Sequence, residues 1–342
     1  MMGGVSAAPN ETKEISMAEK IRWGILSTAN IGRGRVIPAI QQSSNGTVLS
    51  VASRNLERAR DFADDLNIPR AYGSYEELIA DPDIDAIYNP LPNSMHAKWS
   101  ILCAEAGKPT LCEKPFASDA PEAQKMVDAF EQRGVLFAEA FMYRFHPQTQ
   151  KVKALVDAGG VGKVTVMQAS FNFALGPGSE ENIRLSEPLA GGAMMDVGCY
   201  CINVMRLMSG EEPNAGHAVA DIGDETHVDE TLAAAIQFPS GAVGHFDCSL
   251  RTSGVQAYEI RGTQGRIRVS QAFVMPPTES TVIEHWQSGA YSRITIPPAN
   301  SYTLMVEDFA DALIHNRPPK YAAQDGVDNM KVIDMLYASL KG

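Results

Sequence analysis

The sequence predicts an α/β fold: a doubly wound domain with a parallel sheet, followed by an α/β domain built on a mostly antiparallel open sheet. Three observations carry this expectation. From Ile21 onward, short β-rich runs alternate with helical stretches of about 10–15 residues, the grammar of βαβ units. After Pro147 strands follow one another with few helices between them. The first strand also opens into a turn of small residues and then a helix, as a nucleotide-binding unit does. A chain of 342 residues is long enough for two cores. The expected divisions are a flexible polar arm over 1–20, a dinucleotide-binding domain over 21–145, and a substrate-binding and dimerisation domain over 146–342.

Taken in order, IRWGILS (Ile21–Ser27) is the first strand, and a helical segment interrupted by Pro38 leads to the strand TVLSVAS (Thr47–Ser53). LERARDFADDL (Leu56–Leu66) has apolar residues at helical spacing. SYEELIAD opens with Ser74 and has Glu77 three residues on, a capping box. IDAIYNPLP (Ile84–Pro92) is a buried strand stopped by prolines, and Ser94–Gly107 is a helix ended by glycine. The short strand TLCEKP, a helix over about Asp119–Gln132 and the strand VLFAEAFM (Val135–Met142) complete the first domain. In the second, a helix over about Thr149–Ala158 precedes the strand VTVMQASFNFAL. The runs ETLAAAIQFPSG, AVGHFDCSL, AYEIRGTQG and RIRVSQAFV are further strands, with FPSGA and GTQGR as hairpin turns. Helices are expected near Ala190–Met208, Leu304–Asn316 and Asp325–Leu340.

A net charge of −12 argues against a nucleic-acid or anionic-membrane surface, because both need basic patches. No apolar run approaches the ~20 residues needed to span a bilayer. The N-terminal arm lacks the apolar core of a secretory signal. The five cysteines show no metal-ligand spacing, so no metal is expected, and reduced thiols suit a cytoplasmic protein. A periplasmic location stays open if a leader has been removed.

At GILSTANIGRG (Gly24–Gly34), the glycine frame of a dinucleotide loop falls on Ser27, Ala29 and Gly32. Only the last is glycine, but the other two are small, and with Thr28, Asn30 and Ile31 they form a turn where a backbone can approach a pyrophosphate. The second strand ends at Ser53-Arg54, where an NAD site would carry an acid for the ribose 2′-OH. A guanidinium instead suits a 2′-phosphate, which it can hold with two charge-assisted hydrogen bonds. The expected cofactor is therefore NADP(H), with Arg33 and Arg35 as auxiliary contacts; the plainer reading of Arg54 is a solvated charge at a helix entry. TLCEKPFA (Thr110–Ala117) admits two readings by itself. Its charges can punctuate a strand end, or they can stand at the ligand edge of the sheet.

The segments AIYNPLPNSMH, LCEKPFA, AEAFMYRFHPQ and GGAMMDVGCYCIN occur in the order seen in the glucose–fructose oxidoreductase (Gfo/Idh/MocA) family, which the chain resembles from Ile21 onward. The tyrosine of DVGCY resembles the subgroup of dimeric dihydrodiol dehydrogenases and NADP-dependent xylose dehydrogenases. The resemblance implies a Rossmann domain, a second domain whose open sheet often pairs two subunits, and a carbohydrate substrate. It implies Lys114, Tyr200 and Asp196 as catalytic residues. Glu113 and Arg144 would line the cofactor side with Pro90 and Leu91, and Asn93 and His96 would lie near the nicotinamide ribose. His96 and His146 could equally be structural.

A sugar carbinol oxidised by hydride loss must also lose a proton, and tyrosine, with an ordinary pKa near ~10, needs help to accept one. On this reading Tyr200 is the acid/base, Lys114 polarises the substrate oxygen and tunes the tyrosine, and Asp196 binds a sugar hydroxyl. Phe171 and Phe173 share one strand face, to pack the sheet or to stack on a sugar, and Arg184 is a further candidate substrate contact. The expected protein is an NADP(H)-dependent sugar dehydrogenase or reductase, working as a homodimer or higher oligomer. The alternatives are a sugar–sugar oxidoreductase that retains its nucleotide, a nucleotide-assisted glycosidase, and a non-catalytic NADP sensor.

Overall fold

The computed structural model describes residues 20–340, so nearly all of the expected arm lies outside the described residues. Six parallel strands form the first sheet: β1 (Ile21–Leu26), β2 (Gly46–Ala52), β3 (Arg70–Tyr72), β4 (Ala86–Asn89), β5 (Thr110–Cys112) and β6 (Phe137–Glu139). Their order is β3-β2-β1-β4-β5-β6, so the chain reverses direction across the sheet between β1 and β4. At that switch point the strand ends diverge and leave a crevice. β3 is only three residues long and was not expected; RAY is too short to show a period. The expected strand Val135–Met142 shrinks to β6, and a 3₁₀ turn over Met142–Phe145 follows it.

Helices α1 (Ile37–Gln42), α2 (Leu56–Asp65), α3 (Tyr75–Ala80), α4 (Asn93–Glu105) and α5 (Ala120–Glu131) connect these strands. Their starts are fixed by side chains that satisfy free backbone N–H groups. Asn55 accepts from Arg58 N, Ser74 from Glu77 N and Asp119 from Glu122 N. Upstream of α1 the chain makes a π-type turn over Gly32–Val36. Pro38, which lacks an N–H, stands just after it in the first turn of α1. Gly24 in β1 allows the strand to meet α3, because a β-carbon there would lie 2.8 Å from Leu78 and 2.9 Å from Ile84.

The second layer begins with α6 (Pro147–Asp157) and β7 (Val164–Asn172), followed by α7 (Cys199–Ser209). The strands β8 (Ala215–Ile222), β9 (Asp229–Gln237), β10 (Val243–Ser249), β11 (Val255–Gly262), β12 (Gly265–Val269), β13 (Thr281–Gln287) and β14 (Ala290–Ile296) complete an eight-stranded sheet. Its order is β14-β13-β12-β11-β7-β10-β9-β8, antiparallel except where β10 runs parallel to β7. Both expected hairpin turns join their strands as anticipated. β8, β13 and β14 were not expected. β8 is diluted by Ala, Gly and Asp, and β13–β14 alternate with polar residues on an open face. The available signal was Ser288-Gly289, a two-residue hairpin turn with φ of 50° and 85°.

α7 lies against the inner face of this sheet and is almost wholly buried. The expected helix over Ala190–Met208 is shorter, with 3₁₀ turns before it and a π-type turn over Met194–Gly198 leading into α7. The last helices, α8 (Ser301–Ile314) and α9 (Gln324–Ser339), return to the first layer. Phe309 of α8 meets Trp23 of β1 at 5.4 Å between ring centres, and Glu307 accepts from the Ser44 backbone and hydroxyl at 2.9 Å. The segment expected as a second domain therefore contributes to both cores.

Candidate active site

A cavity of about 960 Å³ lies between the C-terminal ends of the first sheet's strands and the inner face of the second sheet. The first layer lines it with Ser27, Thr28, Ala29, Asn30, Ile31, Ser53, Arg54, Pro90, Leu91, Asn93, Glu113 and Lys114. The second contributes Phe171, Phe173, Arg184, Asp196 and Tyr200. Gly32, His96 and Arg144 stand outside this wall.

At the β1 exit Ser27 takes a φ of 86°, the left-handed conformation for which the fingerprint glycine is usually selected. Its Oγ is buried without a hydrogen-bond partner among the described residues. A strained turn with an unsatisfied hydroxyl, opening a helix, fits the phosphates of a dinucleotide. At the β2 exit Arg54 is exposed and borders the cavity. Arg58, one turn into α2, and Tyr75 border the cavity with it. Burial pushes the Tyr75 hydroxyl up, and the Arg54 guanidinium beside it pulls it part of the way back. Arg58 was missed in the sequence; its signal was the four-residue spacing from Arg54 across the start of α2. Arg33 instead pairs with Asp65 at 2.9 Å and lies over the Phe62 ring.

Across the cavity, Lys114 Nζ donates to the Asp196 carbonyl at 2.7 Å and to Asp196 Oδ1 at 3.1 Å. Arg184 Nε donates to Asp196 Oδ2 at 2.6 Å. Asp196 thus joins two cations, the plainer ion-pairing role open to it besides binding a sugar hydroxyl. Burial is the largest influence on Lys114 and opposes its charge, but Asp196, Cys199 and Glu113 together outweigh it and hold the ammonium above its ordinary value. For Asp196 burial is likewise the largest influence, and Lys114 and Arg184 overcome it to hold the carboxyl below its ordinary value.

Lys114 Nζ sits 5.1 Å from the centre of the Tyr200 ring, over its face rather than at its hydroxyl. Burial pushes the Tyr200 hydroxyl well above its ordinary value, with Tyr302, Glu113, Cys199 and Asp196 acting in the same direction. This is opposite to the lowering expected from a neighbouring cation, because desolvation of the phenolate dominates. Among the described residues the hydroxyl donates only to the weak acceptor Met142 Sδ, at 3.5 Å. Phe171 meets the Tyr200 ring edge-on at 5.3 Å, and Arg184 lies over Phe173 at 5.8 Å.

The remaining expected residues have other partners. Glu113 accepts from the Tyr88 hydroxyl at 2.6 Å, and burial pushes its carboxyl up. Asn93 donates to the Ala190 carbonyl at 2.7 Å, a link across the two layers. His96 is buried between the Pro115 and Leu91 carbonyls, at 2.9 and 2.7 Å, and burial pushes its imidazole down to about 4. Arg144 is buried on Asp325. His146 is also buried, and its Nδ1 accepts from Gln148 N at the start of α6.

A parallel sheet in this strand order, with a strained phosphate-type turn and a second sheet closing the cavity, defines a two-layer dinucleotide-binding oxidoreductase. Residues 21–141 match the oxidoreductase family with an NAD-binding Rossmann fold, and residues 149–268 match the GFO/IDH/MocA C-terminal domain. The chain belongs to the Gfo/Idh/MocA family. It is 39% identical to the D-xylose 1-dehydrogenase (NADP(+)) 2 of Haloferax volcanii, over 93% of this chain and 96% of that one. It is 35% identical to the trans-1,2-dihydrobenzene-1,2-diol dehydrogenase of Mus musculus, over 77% of this chain and 78% of that one. A 3-ketoreductase from Actinomadura kijaniata, solved with NADP and TDP-benzene, superposes with a TM-score of 0.88; it is 27% identical and the match covers 94% and 98% of the two chains.

Proposed function

We propose that this protein is an NADP(H)-dependent oxidoreductase that transfers a hydride to or from a carbinol or carbonyl carbon of an aldose or related sugar. The observation that carries the reading is the meeting of Lys114 from the first layer with Asp196 and Tyr200 from the second, in the cavity that the Ser27–Ile31 turn and Arg54 also line. The names of the relatives, a xylose dehydrogenase and a dihydrodiol dehydrogenase, support a polyhydroxylated substrate. Ser27 and the turn after it would hold the pyrophosphate, and Arg54 with Arg58 the 2′-phosphate. The bound nicotinamide supplies or accepts the hydride.

The chain's own residues handle the proton and the charge. Tyr200, protonated through the neutral range, is placed to donate its proton to a developing alkoxide. Lys114, kept cationic by Asp196, stabilises negative charge on that oxygen. In this arrangement Asp196 acts on Lys114 rather than on a sugar hydroxyl, and Phe171 and Phe173 offer aromatic faces to a sugar ring.

A screen of NADP⁺ reduction across aldoses and polyols, run beside mass spectrometry of any nucleotide released on denaturation, tests the reading. Turnover with NADP⁺ and at least one aldose is expected, and no absorbance change with any sugar in either direction would refute it. The cofactor assignment has its own test. Arg54→Ala is expected to weaken NADPH binding about 10–100-fold, the value of charge-assisted hydrogen bonds to one phosphate, and to leave NADH binding nearly unchanged. Equal loss for the two nucleotides would place Arg54 away from the 2′-position.

We also propose a homodimer through the outer face of the second sheet. That face carries exposed Val219 and Val243 beside the small residues Ala233 and Ala235. Sedimentation equilibrium should give twice the chain mass, and Val219→Lys should shift the protein toward the monomer.

A further inference from the structure

We propose that Asp229 is a positioning residue for the catalytic wall: from the first position of β9, its carboxylate holds the start of the helical segment that carries Asp196 and Tyr200. The inference rests on the proposed role of that segment. Asp229 is 2% exposed, yet it joins two separate parts of the chain, the Gly192–Met194 segment and α9. Its Oδ2 accepts from Met194 N at 2.6 Å, and its Oδ1 accepts from the Tyr337 hydroxyl of α9 at 2.7 Å. Gly192, at φ +114°, lies so close that a β-carbon would come within 2.2 Å of Oδ1. The Gly192 carbonyl in turn accepts from Asp196 N at 3.0 Å. One carboxylate therefore anchors the chain on which Asp196 meets Lys114 and Arg184.

The groups around it are donors, which favours the ionised carboxylate as their common acceptor. The ionisable neighbours are Tyr337 from α9 and Cys248 from β10, and Glu230, next in the chain, is bound to Arg251. No lysine, arginine or histidine pairs with Asp229 among the described residues. Burial without a cation pushes its carboxyl up to about 6, and the Met194 and Tyr337 hydrogen bonds oppose that rise. Below this value one oxygen becomes a hydroxyl and the carboxyl keeps only part of its acceptor capacity, so its hold on the wall weakens.

The sign for stability is opposite to the sign for activity. The folded value lies above the ordinary 3.8, so the folded state binds this proton more readily than the unfolded chain. Ionised Asp229 therefore opposes folding, and its contribution becomes less favourable as pH rises from the ordinary value through about 6.

The test measures kcat and KM across about pH 5–8, with NADPH binding followed by fluorescence and thermal stability recorded in parallel. In the native protein kcat should fall as pH drops through about 6 while KM changes little. Asp229→Asn should flatten that limb and lower kcat about tenfold at neutral pH, without loss of stability or NADPH affinity. Tyr337→Phe removes a hydrogen bond to the ionised form and should move the limb to higher pH. A limb unchanged in both variants, or an Asn variant that loses stability and activity together, would overturn the proposal. The carboxyl ¹³C shift of Asp229 should titrate near the same pH even in the absence of any substrate. Its absence would sink the role of Asp229 alone, whereas failure of hydride transfer with every sugar would sink the catalytic reading.

Discussion

Tyr200→Phe is expected to lower kcat about 10²–10⁴-fold while NADPH affinity stays within a factor of about three, because a proton donor serves the transition state and not cofactor binding. The ring would remain edge-on to Phe171 and Phe141, so the variant keeps its packing and loses only the hydroxyl. Lys114→Ala should fall by a similar factor for a different reason. It removes the cation that Asp196 keeps charged, and leaves Asp196 paired with Arg184 alone. For both variants kcat and kcat/KM should drop together, as an interaction made only in the transition state requires. Stopped-flow single turnovers with NADP⁺ and the sugar identified in the screen would measure this. Near-native turnover in both variants would show that the proton and the charge are handled elsewhere.

The second large effect lies behind the cavity. Arg144 and Arg206 have side chains only 2% and 3% exposed, and both are paired with Asp325 at the start of α9. Arg206 keeps a second carboxylate, Glu212, at 2.6 Å, whereas Arg144 has no other ion pair among the described residues. Asp325→Ala is therefore expected to cost about 3 kcal/mol of stability, chiefly because a buried guanidinium loses its counter-ion. Urea midpoints at unchanged slope would measure it. Burial alone would raise the Asp325 carboxyl; the two arginines hold it below 3.8 instead. This stabilisation is fully present above that ordinary value and is lost as pH falls through the lower folded one. Glu139, buried nearby with Oε2 unpartnered among the described residues, is pushed up to about 8 and so is mostly protonated at neutral pH. In Asp325→Ala it would be the remaining carboxyl near Arg144. Adding Glu139→Gln should then destabilise by more than the two single changes together.

How much was legible in the sequence depended on how local each signal was. β1 with its small-residue turn, the capped helices and the Ser53-Arg54 exit could all be read because each rests on contiguous residues. Lys114 stood out by itself as a charge at a strand end, but Tyr200 and Asp196 became candidates only through resemblance to a family. The link among them spans 82 residues and depends on how two layers meet, which no spacing encodes. The direction of the Tyr200 shift was legible even less. Burial decides it, and burial is a property of the assembled cavity. β13 and β14 were missed because an open sheet face lets polar residues interrupt the apolar alternation that marks a strand.

The return of α8 to the first sheet bears on how this chain folds as it leaves the ribosome. Trp23 emerges well ahead of Phe309, its aromatic partner, which lies 286 residues further along the chain. At synthesis rates of about 5–20 residues per second, the N-terminal sheet waits on the order of tens of seconds with that part of its apolar surface uncovered. During this interval the nascent chain presents a binding surface for chaperones. Loss of the final forty or so residues would leave this surface permanently exposed, so truncation near the C-terminus should cause aggregation through the N-terminal half.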